Sequence, residues 1–348
     1  MIWLTWRQFR TQAVAVAAIV AAFALLLLVT GPHLVSLYRD SALAACHANC
    51  GSDATSFLNT LAAGNTYHLI YLLGAVLIVL LPGVIGLFWG APLITRELET
   101  GTFRLAWNQS VTRERWLAAK LGVLGLVAMA LAGLLSLFLG WWASPIDHAA
   151  AIGATGGFED RFVPAVFGTR GIVPIGYAAF AFAAGVLIGL IVRRTVPAMG
   201  ITLAVFAAIQ IVMPLAIRPH LITPVRDTTA VTASAIQGLG TTSPREGSQL
   251  SVFAAAPNLP GAWIYSNQVV TASGSTTIGA APQACQSQQP QGFQSCASAL
   301  AHMHLKQVVV YQPADRYWTF QWLELGIFLT VAILLAWGCF WWVRRRLS

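Results

Sequence analysis

Residues 69–94 read LIYLLGAVLIVLLPGVIGLFWGAPLI, and residues 95–116 continue as TRELETGTFRLAWNQSVTRERW. The first stretch carries no charge and is long enough to span a bilayer, since about 20 apolar residues in a helix cross about 30 Å of hydrocarbon. The second turns abruptly polar and basic, with Arg96, Arg104, Arg113 and Arg115. An apolar run ending in a basic loop is how a span meets the side of the membrane that collects positive charge. The same alternation divides the rest of the chain. Charge-free runs of spanning length lie at roughly 13–37, 121–143, 172–192, 196–217 and 325–343. With 69–94 they predict an all-α membrane protein of six transmembrane helices. Composition agrees, because 57% of the 348 residues are apolar and only 9% are charged. A soluble enzyme usually carries about a quarter charged residues, and a disordered chain has far less to bury. Leu43-Ala44-Ala45-Cys46 resembles a lipoprotein cleavage box, but Arg39 and Asp40 separate it from the first apolar run, so that run reads as a span and not a signal peptide.

Orientation follows from the basic residues. With both termini cytoplasmic, the inner segments hold Arg7, Arg10, Arg96, Arg104, Arg113, Arg115, Lys120, Arg193, Arg194 and Arg344 to Arg346, against only Glu97, Glu99 and Glu114. The inner face is then +9 and the outer face −1, which together make the net charge of +8. The charge is thus a topology signal in a multi-pass protein of the cell membrane, and nucleic acid is not an expected partner.

Between the spans, Ile2, Trp6, Phe9 and Ala13 share one helical face, which predicts an interfacial helix over 1–12; the alternative is the cytoplasmic end of span one. Spans one to five then occupy 13–217, with a polar inner loop over 95–120. In that loop Gly101 should stop the helix leaving span two, and Phe103 and Trp107 share a face four residues apart. Thr112 is placed to cap the third span, with Glu114 in its first turn. A short segment with exposed aromatics and fixed charges has the form of a docking element; an ordinary charged loop with Trp107 at the interface is the plain alternative. Arg193-Arg194-Thr195 is a minimal turn that makes spans four and five antiparallel neighbours, with Pro197 in the first turn of span five. Gly86 with Gly90, and Gly185 with Gly189, are small-xxx-small pairs that permit close helix contact.

The segment 218–322 is rich in Ser, Thr, Gln, Gly and Pro and is too long for a plain connection, which predicts an extracytoplasmic subdomain containing a strand at Val308–Tyr311. Span six and a basic tail complete the chain over 323–348. Four cysteines, Cys46, Cys50, Cys285 and Cys296, fall on the outer side, where disulfides form. They allow three pairings. Cys285–Cys296 is the expected bridge, with a cross-link to Cys46 or Cys50 as its competitor, and Cys339 in span six should stay reduced.

Catalytic signatures are absent. The chain has no G-x-x-x-x-G-K-[ST], no H-E-x-x-H and no G-x-S-x-G. His302-Met303-His304 and Cys46-His47 lack a full ligand spacing, so no metal and no cofactor is expected on this chain. The six apolar runs also contain no ionisable residue of the kind an ion-coupled transporter needs, with Glu324 at the outer lip of span six and Gln210 neutral. If a substrate is moved, the energy should come from another chain.

Four segments carry a family resemblance: 95–116 as quoted, RRTVPAM at 193–199, Arg218-Pro219-His220, and YQPADRYWTFQWLE at 311–324. In these the chain resembles the integral-membrane permease subunits of ABC-2 type exporters, particularly an actinobacterial group of transmembrane transport proteins. The resemblance implies a six-helix half-transporter that dimerises and works with two copies of a separate cytoplasmic ATPase, which binds the ATP and Mg. It implies that the loop between spans two and three is the coupling helix, so that Glu97, Glu99, Gly101, Thr102 and Arg104 meet the ATPase; Trp107 joins them as an exposed aromatic. Relatives normally carry short re-entrant helices between spans five and six, where this chain has its polar insert. The rival expectation is a membrane sensor that reads a ligand with the outer segment and reports it through the inner loop.

Overall fold

The computed structural model describes the chain except residues 1, 49, 102–111, 153–156, 242–249, 258, 277–281, 283–284, 286–289 and 347–348, and describes the backbone alone at 2–9, 165, 241, 250 and 290–293. Six helices are long and apolar enough to cross a membrane: Arg10–Arg39, Thr66–Thr100, Arg113–Ala151, Val173–Val192, Thr195–His220 and Ala314–Arg346. Each contains one of the apolar runs. Most extend past it, because a helix ends where its backbone is capped or broken, not where its hydropathy falls. The chain forms two compact units, one of 1–222 with 317–348 and one of Thr223–Arg316.

The helical unit begins with α1 (Ile2–Arg39), a single helix. The stretch expected as an interfacial helix over 1–12 is, from Ile2 onward, continuous with the helix of span one, and nothing from Arg10 to Ala13 is a glycine or proline that would break it. A bridge between Cys46 and Cys50 precedes α2 (Gly51–Ala63), which buries Phe57, Leu58 and Leu61. Span two is composite. It runs as α3 (Thr66–Ile85), a π turn over Gly86–Gly90 and α4 (Pro92–Thr100). The π turn is closed by the Ala91 N–H donating to the Gly86 carbonyl at 2.9 Å, just before Pro92, which has no N–H to give.

Gly101 ends α4, as expected, and does so in the left-handed conformation at φ +71°. The third span, α5 (Arg113–Ala151), opens with Thr112 Oγ1 accepting from the Arg115 N–H at 3.4 Å and Glu114 in its first turn. The inner loop is thus shorter than 95–120, because helices occupy both of its ends. After a short α6 (Pro164–Phe167) come span four, α7 (Val173–Val192), and α8 (Thr195–Val212), joined by the two-residue turn at Arg193 and Arg194. Span five continues past α8 through a second π turn, Met213–Ile217, and a 3-10 turn, Arg218–His220.

Span four is the hub. Its apolar window is 72% buried, against 17% for span five, and it packs on spans two, three, five and six. Lipid tails are as apolar as leucine, so close backbone approach has to do what hydrophobicity does in water. The two glycine pairs meet here. A Cβ on Gly185 would lie 2.5 Å from the Gly86 carbonyl oxygen, and one on Gly189 would lie 2.6 Å from that of Ala91. Span six, with α10 (Tyr317–Arg346), packs on the other side of α7.

The second unit contains an antiparallel sheet ordered β1 (Val225–Ala230), β5 (Lys306–Gln312), β4 (Trp263–Val270), and a two-stranded sheet of β2 (Ile236–Thr241) and β3 (Leu250–Ala254). The strand expected at Val308–Tyr311 is the middle of β5, with Val309 opposite Asp227 on one side and Asn267 on the other. Val231, Ile236, Val252, Val269, Leu300 and Leu305 form a small core with α9 (Pro290–Ala301). Cys285–Cys296, the expected bridge, anchors this core, while Cys339 is a buried free thiol. The unit is narrower than 218–322. Arg218 is packed inside the helical unit, and the helix of span six has already started at Tyr317.

Candidate functional site

Six crossings put both ends of the chain on one side of the helical unit, and the loop between spans two and three is on that side too. Here Glu97 and Glu99 are already engaged. Glu97 is ion-paired with Lys120 of α5, and both are largely buried, at 15% and 3% side-chain exposure. The Lys120 ammonium also lies 4.6 Å from the centroid of the Trp116 ring, a cation–π contact that helps keep the charge inside. Glu99 accepts two hydrogen bonds from Thr195, from its N–H at 2.8 Å and its hydroxyl at 2.6 Å. That carboxylate sits at the positive end of the α8 dipole. The last turn of α4 is therefore bolted to span three through Glu97 and to span five through Glu99, immediately before Gly101. Thr102, Arg104 and Trp107 lie outside the described residues. Beside this cluster the Arg344 guanidinium donates to Glu114 at 2.7 Å, both exposed, and Arg193 donates to the Arg346 carbonyl at 3.2 Å.

The opposite end of the unit holds charges that the apolar runs did not contain. Arg218 and Glu324 form a pair with 1% and 0% side-chain exposure, Nε to Oε2 at 2.8 Å and Nη2 to Oε1 at 3.1 Å. The Tyr177 hydroxyl donates to the same carboxylate, and the Arg218 guanidinium lies 4.2 Å from the centroid of the Phe167 ring. Glu324, at the start of the span-six apolar run, is fully enclosed between spans four, five and six. Gln321, one turn earlier, accepts from the Ile172 and Val173 amides at 2.9 and 3.1 Å and donates to the Phe167 and Arg170 carbonyls at 3.3 and 3.1 Å. It substitutes for the bonds that the start of α7 and the turn before it cannot make internally. The apolar runs themselves hold no ionisable group, but the helices that contain them are longer than the runs. The helices run on through Lys120, Asp147 and Glu324, and each is buried against an opposite charge.

A second pair on this side joins Asp147 to Arg170, Nε to Oδ2 at 3.3 Å, and flanks a cavity of about 480 Å³. Its polar end is Asp147, Arg161, Arg170 and Tyr317, and its apolar wall includes Leu137, Trp141, Ile175 and Trp318. Arg161 stacks over the Tyr317 ring at 4.7 Å and Arg170 over Tyr71 at 4.9 Å. In the connection leading to α6, burial raises the Asp160 carboxyl above its usual range, an effect opposed by the Phe162 amide donating to it and by Arg161. The sequence carried a weak signal for these residues, since Arg218 and Glu324 both sit in segments that held the family resemblance; no pattern in it announced their pairing.

No group of three or more His, Cys, Asp or Glu side chains capable of holding a metal occurs among the described residues. Cys46 is bridged to Cys50 and so offers no thiolate beside His47. Among protein families, the one described as ABC-2 membrane transporter related matches residues 17–218, more than half of the 348-residue chain. Neither a curated protein nor a solved structure matches the chain.

Proposed function

Because the chain belongs to the ABC-2 membrane transporter related family, we propose that it is the permease subunit of an ATP-driven exporter of the cell membrane, forming the substrate path as a dimer and receiving its energy from two copies of a separate cytoplasmic ATPase. ATP and Mg are held by that partner; this chain contributes no hydrolytic residue. The observation that carries the reading is the pair of bolts at the end of span two. A force on the loop beyond Gly101 reaches Lys120 through Glu97 and Thr195 through Glu99, so one contact moves spans two, three and five together. Glu97 and Glu99 then act as relays within the permease, and the surface that meets the ATPase is the following stretch that includes Thr102, Arg104 and Trp107.

The test separates relay from docking. Glu99→Gln keeps an acceptor for Thr195, whereas Glu99→Lys puts a cation against the positive helix end. The expected result is normal ATPase co-purification for both, with substrate-stimulated hydrolysis retained in Glu99→Gln and lost in Glu99→Lys. Trp107→Ala should instead weaken co-purification itself. An Arg226→Glu control in the inserted unit should change neither. A protein that captures no ATPase, with no ATPase encoded beside it, overturns the transporter reading.

A further inference from the structure

The cavity beside span three has a polar end with two unanswered atoms. Asp147 Oδ1 and Arg170 Nη2 are both buried and have no hydrogen-bond partner among the described residues, although Oδ2 and Nε of the same side chains hold each other. Arg170 Nη1 is used on Thr169, at 3.3 Å to its hydroxyl and 3.5 Å to its carbonyl. A buried polar atom without a partner is destabilising, and more so when it is charged. Of the two here, one is an acceptor and the other a donor, and both residues are among those that line the same cavity. A partner that satisfies both must offer a donor to the carboxylate and an acceptor to the guanidinium, which is what a hydroxyl-bearing head does.

The other end of the cavity decides what is attached to that head. Leu137, Trp141 and Trp318 are 65%, 48% and 51% exposed, and all three belong to helices long and apolar enough to span a membrane. A mouth made of such residues opens onto lipid. Its volume of about 480 Å³ falls in the range of about 300–1,000 Å³ common for small-molecule sites. The cavity has room by construction, since Gly140 lines it and a Cβ there would meet nothing within 4 Å.

We propose that this cavity binds an amphiphile drawn from the bilayer, its hydroxyl-bearing head between Asp147 and Arg170 and its apolar body along Leu137, Trp141 and Trp318. The proposal goes beyond the transport reading and does not depend on the ATPase, so it is tested on the purified chain alone. The probe is a monoacylglycerol carrying a diazirine in its acyl chain, photolysed with the protein in detergent and mapped by peptide. Adducts should concentrate near Leu137, Trp141 and Trp318. Excess plain monoacylglycerol should compete them away, while the methyl ester of the same acid, which has no donor, should need a roughly tenfold or higher concentration. Gly140→Leu puts a side chain into the cavity from a position whose Cβ meets nothing within 4 Å, and should remove these adducts. Gly122→Leu, on the same helix with equally open space but away from the cavity, should leave them. Asp147→Asn should lower the advantage of the monoacylglycerol over the ester. Adducts spread evenly over lipid-facing positions such as Leu126 and Leu334, or unaffected by Gly140→Leu, would overturn the site even in a protein that binds its ATPase. Concentrated, competable labelling in a chain that captures no ATPase would uphold the site and remove only the transport reading.

Discussion

Arg218 and Glu324 are separated by 106 positions and meet with almost no solvent around them. Removing one partner of a buried pair leaves an uncompensated charge and costs about 3–5 kcal/mol, whereas replacing both by apolar groups of similar volume is often neutral. Glu324→Gln should therefore sharply lower the melting temperature of the detergent-solubilised protein, and the double variant Arg218→Met, Glu324→Met should recover most of the loss. Wild-type melting for Glu324→Gln would mean that the pair does not hold spans four to six together. Local chemistry at this scale was legible when it needed only near neighbours in the chain. Thr112 caps α5 and Gly101 stops α4, because capping and helix-breaking chemistry act within a few residues. Glu97, Glu99, Asp147 and Glu324 were visible as charges, but their partners were not. Each pairing is set by helix packing that brings distant positions together, and a charge at the end of an apolar run looks the same whether it faces water or a buried arginine.

At the scale of elements, the apolar runs located all six spans, since hydrocarbon thickness fixes their length. The ends were harder to read. Hydropathy stops at the first charge, while α5 runs on from Ala143 to Ala151 and α1 is unbroken from Ile2, so an interfacial helix and a longer span could not be told apart. The π turns at Gly86–Gly90 and Met213–Ile217 had no signature beyond a nearby proline. The glycine pairs were legible as possible contacts, and packing turned them into one specific contact between spans two and four. Gly185→Ala would place its Cβ 2.5 Å from the Gly86 carbonyl oxygen and 2.9 Å from the Ala91 nitrogen, both backbone atoms that cannot swing aside. Overpacking of this kind costs about 1–3 kcal/mol. The expected outcome is a lower monodisperse fraction after heating, read by size-exclusion chromatography, for Gly185→Ala but not for Gly200→Ala, where a Cβ meets nothing within 4 Å. Equal survival of the two variants would show that the helices separate freely there.

At the scale of the whole molecule, charge and cysteine chemistry point to the same sidedness. Twelve of the 20 basic residues belong to the termini and the loops on their side of the six crossings. Both bridges, Cys46–Cys50 and Cys285–Cys296, lie in the connections on the opposite side, and bridges form and persist in an oxidising compartment. We therefore expect both termini in the cytoplasm. The native cysteines leave this easy to test, because four are bridged and Cys339 is buried in span six, so an introduced thiol reports almost without background. Ser273 suits the outer position: it is exposed, whereas the adjacent Gly274, at φ +84°, would strain any side chain placed there. Ser273→Cys should react with a membrane-impermeant thiol reagent in intact cells. Ser348→Cys should react only after the cells are opened, since its neighbours Arg344 to Arg346 hold the tail to the positive-rich side. Labelling of Ser348→Cys in intact cells would invert the assignment, place Glu97 and Glu99 on the outside, and remove the physical basis for coupling to a cytoplasmic ATPase.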